Sequence, residues 1–152
     1  MQIEYKQEFL STIEADIKNL LVDHWEEIAL NKENIKLNPN WEAYYEIESK
    51  GKLSFFSVRD NGALVGYFVV FVDNNIHYQD HVFATNDVIF IDKKYRKSSV
   101  GANLIRFAEE CLRDDGVSVL VINTKIHQPF DELLDHLGFN NIERVYSKYL
   151  KG

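Results

Sequence analysis

The amino-acid sequence predicts an α/β fold in which a mixed, mostly antiparallel and twisted sheet of about six to seven strands is flanked by about four helices. Segments with apolar residues at helical spacing alternate along the chain with runs rich in β-branched and aromatic residues. Three strand-like runs follow one another without a helix between them, which favours antiparallel pairing. A later strand, helix and strand favour one parallel neighbour.

The first half of the chain predicts a short strand at residues 2–5, two helices and a β-hairpin. A helix from residue 10 to about residue 30 is indicated by apolar residues at helical spacing: Leu10, Ile13, Ile17, Leu20, Leu21 and Trp25. A second helix opens at Asn38-Pro39-Asn40 and runs to about Ser49. The hairpin is predicted by apolar runs on either side of Asp60-Asn61-Gly62, because glycine supplies the positive φ of a tight turn.

The second half predicts a long strand ending near Asp92, with apolar residues on both faces of its last four residues before Asp92. A helix over 99–114 follows, and Gly116 ends it. Residues 117–122 predict a buried strand. The chain should then form a short helix over 130–136 and one or two strands over 139–150.

Length and charge limit the classes of function. The 152 residues, 45% of them apolar, predict one domain over residues 1–152 that buries about two thirds of its unfolded surface. The net charge of -7 disfavours general nucleic-acid binding, which depends on clustered cations. No apolar run has the length of a signal peptide or membrane span, so no membrane association is expected. Cys111 is the only cysteine, which suits a reducing cytosol.

The segment from Ile91 to Ile105 carries the clearest chemical signal. A buried strand runs into a turn with cations and serines, and the next helix holds Gly101 and Ala102 in its first turn. Unpaired N–H groups and the positive end of the helix dipole make such a helix start an anion site that fits a pyrophosphate. The alternative is an ordinary helix start with Ser98 or Ser99 as the N-cap and solvated cations beside it.

This segment and the order of elements resemble the GCN5-related N-acetyltransferase (GNAT) family. The family motif is Arg or Gln, two residues, Gly, one residue, and Gly or Ala; it reads here Arg96-x-x-Ser99-x-Gly101, with serine at the first glycine. A second hallmark, Leu-Gly-Phe after a short helix, is Leu137-Gly138-Phe139, so the resemblance spans nearly the whole chain. Features such as His24-Trp25-Glu26-Glu27 and Tyr146-Ser147-Lys148 are also similar to small phage- and prophage-encoded members.

The resemblance implies an acetyl-CoA-dependent enzyme that moves an acetyl group to a primary amine by direct transfer, without a covalent enzyme intermediate. In the family, acetyl-CoA is a co-substrate that lies between two splayed parallel strands, where its pantetheine bonds to strand backbone. By position, the pantetheine would bond to the backbone of Ile89, Phe90 and Ile91. The pyrophosphate would be held by the turn and the helix start: Arg96, Lys97, Ser98, Ser99, Val100, Gly101 and Ala102.

The same resemblance suggests the catalytic residues, with one departure. Many members carry a tyrosine, the acid for the leaving thiolate, four residues before the Gly-Phe pair, where this chain has Leu134. His127 stands where an asparagine often contacts pantetheine, and it could also act as a base. Asn86 stands ten residues before Arg96, where some members place a glutamate base, so we expect the neighbouring Asp87 to be the base, directly or through a water.

Asp87 and Tyr146 each have a structural alternative. Desolvation beside a buried strand would raise the pKa of Asp87 toward a useful range, but a carboxylate at a strand bulge can instead be satisfied by backbone N–H groups. Tyr146 is expected to reach the cleft as a replacement acid, although half-buried tyrosines are ordinary in edge strands. Cys111 lies on an apolar helix face and is expected to be a core residue rather than a nucleophile.

Aromatic side chains are expected around the acceptor. The second helix, which covers the acceptor in the family, carries Trp41, Tyr44, Tyr45 and Glu46, and an aromatic and acidic wall suits a cationic amine. The same side chains could instead pack the helix onto the sheet. His77 and Tyr78 are expected to line the acceptor side, with loop solvation as the alternative. No metal-ligand spacing is present, so no metal is expected.

Three functions stay open at this point. The first is the N-acetyltransferase, with a small-molecule or peptide amine as acceptor. The second is a catalytically silent acyl-CoA-binding module, favoured by Leu134 and Ser99, and the third is an acidic protein-interaction module. A homodimer is expected if Val145 to Leu150 pairs as an edge strand across a two-fold axis. The expected location is the cytosol of a bacterium or a phage-infected host.

Overall fold

The computed structural model describes residues 2–151, which form five strands and four helices. In chain order they are β1 (Ile3–Glu8), α1 (Leu10–Ile28), α2 (Trp41–Ser49), β2 (Leu53–Asp60), β3 (Ala63–Asn74), β4 (Val82–Ile91), α3 (Val100–Asp114), β5 (Val117–Val121) and α4 (Asp131–His136). The sheet order follows the sequence from β1 to β5. Pairing is antiparallel from β1 to β4 and parallel between β4 and β5, so the predicted mixed sheet is confirmed.

Helices cover both faces of the sheet. Because successive side chains of a strand point to opposite faces, Phe56 and Phe68 pack with α3 on one face. Their neighbours Phe55 and Tyr67 pack on the other face with the buried side of α1, and α2 lies against the same cluster. The apolar spacing that predicts α1 from sequence places Leu10 there, fully buried.

The turns that the sequence predicts are present and explain where the elements end. Asn61 and Gly62 both have positive φ, 50° and 88°, in the hairpin between β2 and β3. Gly116 ends α3 with a φ of 88°. The side chain of Asn40 caps α2 by accepting a hydrogen bond of 3.0 Å from the N–H of Ala43.

One prediction about the edges of the fold is wrong. The sheet has five strands instead of six or seven, because residues 139–150 form no strand. The outer edge of β5 therefore has no neighbouring strand within residues 2–151. Helix α1 ends at Ile28, within two residues of the approximate end that the sequence predicts. Within the described chain, no helix is both long and apolar enough to span a bilayer.

A buried arginine joins β1, α1 and the hairpin. The guanidinium of Arg59, which is 8% exposed, donates to both carboxylate oxygens of Glu8 at 3.0 Å. It also donates to Asp16 at 3.0 Å and to the carbonyl of Gly62 at 2.9 Å. These hydrogen bonds replace the ones that the guanidinium loses to water on burial, so β2 can carry an arginine at a buried position.

Candidate active site

Strands β4 and β5 separate halfway along β4. Their parallel pairing covers Val82 to Thr85 and stops there, while β4 continues to Ile91. Beyond this point the side chain of Asn86 replaces a strand neighbour: its Oδ1 accepts from the N–H of Asn123 at 2.8 Å, and its Nδ2 donates to the Asn123 carbonyl at 3.4 Å. Asn86 thus closes the apex of the split, and the outer edge of β4 past it is open.

The open half of β4 begins with a bulge at Asp87. In the pairing with β3, Val69 lies opposite Val88 and Val70 opposite Asn86, so Asp87 is the extra residue. A bulge lets a side chain leave the alternating pattern of its strand, and Asp87 lies at the wall of the cleft. The bulge of the structural alternative is therefore present, but the carboxylate is bonded by a side chain and not by backbone N–H groups.

That side chain is Tyr44 of α2, whose hydroxyl donates to Asp87 Oδ2 at 2.6 Å. Burial raises the pKa of Asp87, and the hydrogen bond from Tyr44 lowers it in part. The pKa of Tyr44 is raised well above its usual range by burial and by the neighbouring carboxylate, so its hydroxyl stays protonated. The ring of Tyr44 stacks on Phe71 at an interplanar angle of 10°, which fixes the direction of the hydroxyl.

The start of α3 faces the open edge of β4. The N–H groups of Gly101 and Ala102 bond to no acceptor among residues 2–151. A Cβ on Gly101 would come no closer than 3.8 Å to Leu133 and 3.9 Å to Ile91, both residues of the cleft wall. The helix start therefore offers unpartnered donors, and glycine leaves the space in front of them open.

A cavity of about 400 Å³ lies between these elements. It is lined by residues of α1, β4, the α3 start and the segment after β5: His24, Glu27, Ile28, Asn86, Asp87, Val88, Ile89, Phe90, Ile91, Arg96, Ser98, Gly101, Ala102, Asn123, Lys125, Gln128, Pro129, Phe130 and Leu133. A strand edge, helix-start amides and a carboxylate therefore share one cavity. These groups fit a ligand that has an amide-bearing chain and a diphosphate, because such a chain can pair with a strand edge.

Arg96 lies at the cavity but does not supply the free positive charge that the sequence predicts. Its guanidinium donates to both carboxylate oxygens of Glu27, at 2.8 and 2.7 Å, and to the carbonyl of Ile91 at 2.7 Å. The pair is close to neutral and ties α1 to the end of β4. Lys125 is the other cation on the cavity wall, and it makes no ion pair within the described residues.

Glu27 and His24 line the cavity but are not among the site residues proposed from the sequence. His24 is 2% exposed, and its Nδ1 lies 2.9 Å from the hydroxyl of Tyr67. Burial lowers the pKa of His24 to about 4, so the ring is neutral near pH 7. A signal was available, because positions 10, 13, 17, 20, 24 and 27 continue one helical face.

Half of the site residues proposed from the sequence lie on the cavity wall, and half do not. Those outside it are Trp41, Tyr45, His77, Tyr78, Lys97, Ser99, Val100, His127 and Tyr146. Trp41 packs against the core below α2, and Val100 is 3% exposed in the core below α3, so both face away from the cavity. The N-cap residue Ser99 makes no capping bond, whereas Ser98 accepts a bond of 3.3 Å from the N–H of Val100.

The other outlying residues have separate surroundings. His127 Nε2 lies 2.9 Å from the carbonyl of Ile28 and so joins the loop after β5 to the end of α1. His77 and Tyr78 lie in an exposed loop at the start of β4, where Tyr78 stacks on Phe83. Tyr146 is 86% exposed and lies outside the cleft, contrary to the expectation from the sequence.

Two further groups bear on the chemistry. Leu134, at the position of the expected tyrosine acid, is buried in α4. Cys111 packs against the core cluster below α3, and burial raises the pKa of its thiol, both as expected for a core residue. Within residues 2–151, no group of three or more His, Cys, Asp or Glu side chains could hold a metal ion.

The chain is similar to known proteins in sequence and in fold. Residues 15–139 match the model of the acetyltransferase (GNAT) family. No curated protein sequence matches the chain. An aminoglycoside acetyltransferase from an uncultured soil metagenomic sample is 14% identical with a TM-score of 0.78, and the match covers 99% of this chain and 100% of that one.

Two other solved structures share the fold. A transcriptional regulator from Bacillus halodurans is 17% identical, with a TM-score of 0.77 and coverage of 98% of this chain and 100% of that one. A predicted acetyltransferase from Clostridium acetobutylicum, solved with acetyl-CoA, is 6% identical, with a TM-score of 0.72 and coverage of 97% and 96%. At such identities the likeness establishes the fold alone.

Proposed function

The chain belongs to the acetyltransferase (GNAT) family, and from this premise we propose that it is an acetyl-CoA-dependent N-acetyltransferase acting on a primary amine by direct transfer. One observation carries the proposal: the unpartnered amides of Gly101 and Ala102 share a cavity with the open edge of β4. A helix start of this kind favours a diphosphate, and an open strand edge favours an amide-bearing chain.

Specific residues would hold acetyl-CoA in this cavity. The open edge of β4 from Val88 to Ile91 offers backbone groups to the pantetheine, and the amides of Gly101 and Ala102 offer donors to the diphosphate. Lys125 would add the positive charge that Arg96 does not supply, because Arg96 is neutralised by Glu27. This replaces the sequence-based assignment of the motif arginine as a phosphate ligand.

The chemistry needs a group that deprotonates the acceptor. Acetyl-CoA supplies an acetyl thioester; the amine nitrogen bonds to the acetyl carbon, the carbon–sulfur bond breaks, and coenzyme A leaves as the thiol. Of the two protons that the ammonium loses, one ends on the thiol and one is released. We assign the removal of the first proton from the ammonium to Asp87, because its carboxylate lies on the cavity wall and its pKa is raised by burial. Tyr44 is a positioning residue that holds this carboxylate by its hydroxyl.

The acceptor is proposed to be a small-molecule or peptide amine. Proteins with this fold include an aminoglycoside acetyltransferase solved with sisomicin, a glucosamine-6-phosphate N-acetyltransferase and a ribosomal-protein-alanine N-acetyltransferase. Within this chain, the partly buried carboxylate of Asp87 suits a cationic amine. Action in a bacterial or phage-infected cytosol, a relationship to phage proteins, and the absence of nucleic-acid and membrane binding stay predictions from the sequence.

Two measurements test the proposal. Calorimetric titration with acetyl-CoA should show saturable binding that Lys125→Gln weakens about tenfold, as expected for one lost charge-assisted contact. The matched control Lys36→Gln removes the same charge in the exposed loop before α2 and should bind as the wild type does. Absence of acetyl-CoA binding in the wild type would refute the proposal.

Thiol release should then be measured with polyamines, aminoglycosides and peptides as acceptors. Release that depends on one amine class, and that Asp87→Asn reduces at least a hundredfold, is the expected result. Tight acetyl-CoA binding without thiol release from any acceptor would favour the silent acyl-CoA-binding module. The observation that favours this second function is Leu134, a buried aliphatic side chain at the position of the usual acid.

A further inference from the structure

One side chain of the cavity wall is almost completely buried and still has a nitrogen without a partner. His24 of α1 is 2% exposed, and its Nδ1 lies 2.9 Å from the hydroxyl of Tyr67. Its Nε2 bonds to no group among residues 2–151. Every fully buried side-chain nitrogen or oxygen in those residues has a partner, so Nε2 must reach the cavity that His24 lines. A polar atom in this position indicates a ligand group opposite it.

Tyr67 determines which nitrogen of the His24 ring carries the proton. Tyr67 is fully buried in β3, and burial and the charge of Asp87 raise the pKa of its hydroxyl, which therefore stays protonated. Within residues 2–151 that hydroxyl has one partner, the Nδ1 of His24, to which it must donate. The ring is neutral near pH 7, so its own proton lies on Nε2. His24 thus presents an N–H donor to the cavity.

The charged side chains of the cavity leave one carboxylate for a cation. Glu27 is paired with Arg96 at 2.7 Å. Asp87 makes no ion pair within residues 2–151, and Lys125 adds a positive charge to the wall. A second ammonium group on an acceptor would therefore lack a counter-charge. The N–H donor described above could not accept a hydrogen bond from it either.

The His24 donor and the Asp87 carboxylate are close enough to bind one small molecule. The His24 ring packs on the ring of Phe90, with 4.9 Å between the centroids. Phe90 follows Asp87 by three residues on β4, which is about 10 Å at the rise of a strand. All three residues line the same cavity. This spacing suits an amine whose second polar group is separated from the nitrogen by several bonds.

We propose that the acceptor is a monoamine that also carries a hydroxyl or carbonyl oxygen: Asp87 binds its ammonium group, and the Nε2–H of His24 donates to its oxygen. This inference rests on the proposed acetyltransferase function and narrows its acceptor class. Tyr67 is a positioning residue that keeps the donor proton on Nε2. The arrangement selects against polyamines, because a site built to bond an oxygen leaves its buried donor unpaired when the oxygen is missing.

Acceptors of one chain length test this selection. Thiol release is measured with an ω-amino alcohol, an ω-amino amide, a diamine and an alkylamine, each about four to six carbons long. One or both oxygen-bearing amines should exceed the diamine and the alkylamine in kcat/KM at least about tenfold. His24→Phe should remove this preference, whereas His24→Gln keeps an N–H donor and should retain part of it. The matched control His81→Phe changes an exposed histidine and should leave the preference unchanged.

Nitrogen NMR of protein with labelled histidine tests the donor without turnover. The ring resonances of His24, identified by their loss in His24→Phe, should show a neutral ring protonated at Nε2 near pH 7. Tyr67→Phe removes the hydroxyl that fixes this form and should give a mixture of the two neutral forms. A wild-type ring protonated at Nδ1 would overturn the inference.

Failure of the inference differs from failure of the proposed function. Thiol release that is equal for the diamine, the alkylamine and the oxygen-bearing amines, or a preference that survives His24→Phe, would overturn the acceptor class while leaving the acetyltransferase in place. A wild type that releases no thiol with any acceptor would overturn the proposed reaction, and the acceptor class with it.

Discussion

Replacing Gly101 with alanine should strengthen the fold and weaken the binding of coenzyme A, because the two effects depend on different surroundings. The added methyl group would contact only Leu133 at 3.8 Å and Ile91 at 3.9 Å, both ordinary distances. Gly101 lies in the first turn of α3, where alanine has the better helix propensity, so the free energy of unfolding should rise by up to about 1 kcal/mol.

The same methyl group would project between Leu133 and Ile91 into the cavity, where the proposed diphosphate would lie. Losing one hydrogen bond between an amide and a charged phosphate oxygen costs about 1.5–3 kcal/mol, which corresponds to a roughly 10- to 100-fold weaker binding of coenzyme A. Urea unfolding without ligand and calorimetric titration with coenzyme A measure the two quantities separately. Unchanged affinity in Gly101→Ala would refute the assignment of these amides to the diphosphate.

Gly66 of β3 offers a contrasting variant. There a Cβ would lie 2.6 Å from Ile91 Cδ1 and 2.9 Å from the carbonyl oxygen of Phe90. Gly66→Ala should therefore lower the free energy of unfolding by about 1–3 kcal/mol, as overpacking does. If both glycine variants changed stability in the same direction, the contacts described for α3 and β3 would be incorrect.

Tyr44→Phe removes the hydrogen bond that lowers the pKa of Asp87, so the acid limb of the kcat/KM profile should move to higher pH; an unmoved limb would rule out Asp87 as the base. Arg59→Met leaves Glu8 without its cation and should cost about 3–5 kcal/mol in urea unfolding, while a loss below about 1 kcal/mol would contradict the burial argument. The pKa of His24, about 4, is below its unfolded value of 6.5. The neutral His24 ring therefore contributes its full stability above pH 6.5. Between pH 6.5 and pH 4 the free energy of unfolding should fall by up to about 1.4 kcal/mol per pH unit, and His24→Phe should reduce this slope.

Helices and paired strands could be predicted because their signals are local. Asn40 at the start of α2 and Gly62 in the hairpin are each determined by the conformation of a few residues, and the structure has both where the sequence places them. The start of α3 is similar, since a short polar turn over residues 92–99 separates the apolar end of β4 from the helical spacing of α3. The backbone of the candidate site was therefore accessible from the sequence.

The partners of side chains were not accessible in the same way. Tyr44 meets Asp87 across 43 positions of sequence, and Arg96 meets Glu27 across 69, so no local pattern links them. The sequence therefore predicts that Arg96 binds the phosphate, whereas in the structure its charge is paired with Glu27. Residues 139–150 show the converse case, because their composition predicts one or two strands but the structure pairs them with no strand.

Amide resonances of Gly101 and Ala102, followed by NMR during titration with coenzyme A, test most directly whether the cavity beside β4 takes a diphosphate. New hydrogen bonds to phosphate oxygens should move both resonances strongly downfield, with saturation at one ligand per chain, and the resonances of β4 from Val88 to Ile91 should change with them. Coenzyme A that binds without moving the two helix-start amides, or that does not bind, would contradict the assignment on which the proposed reaction rests.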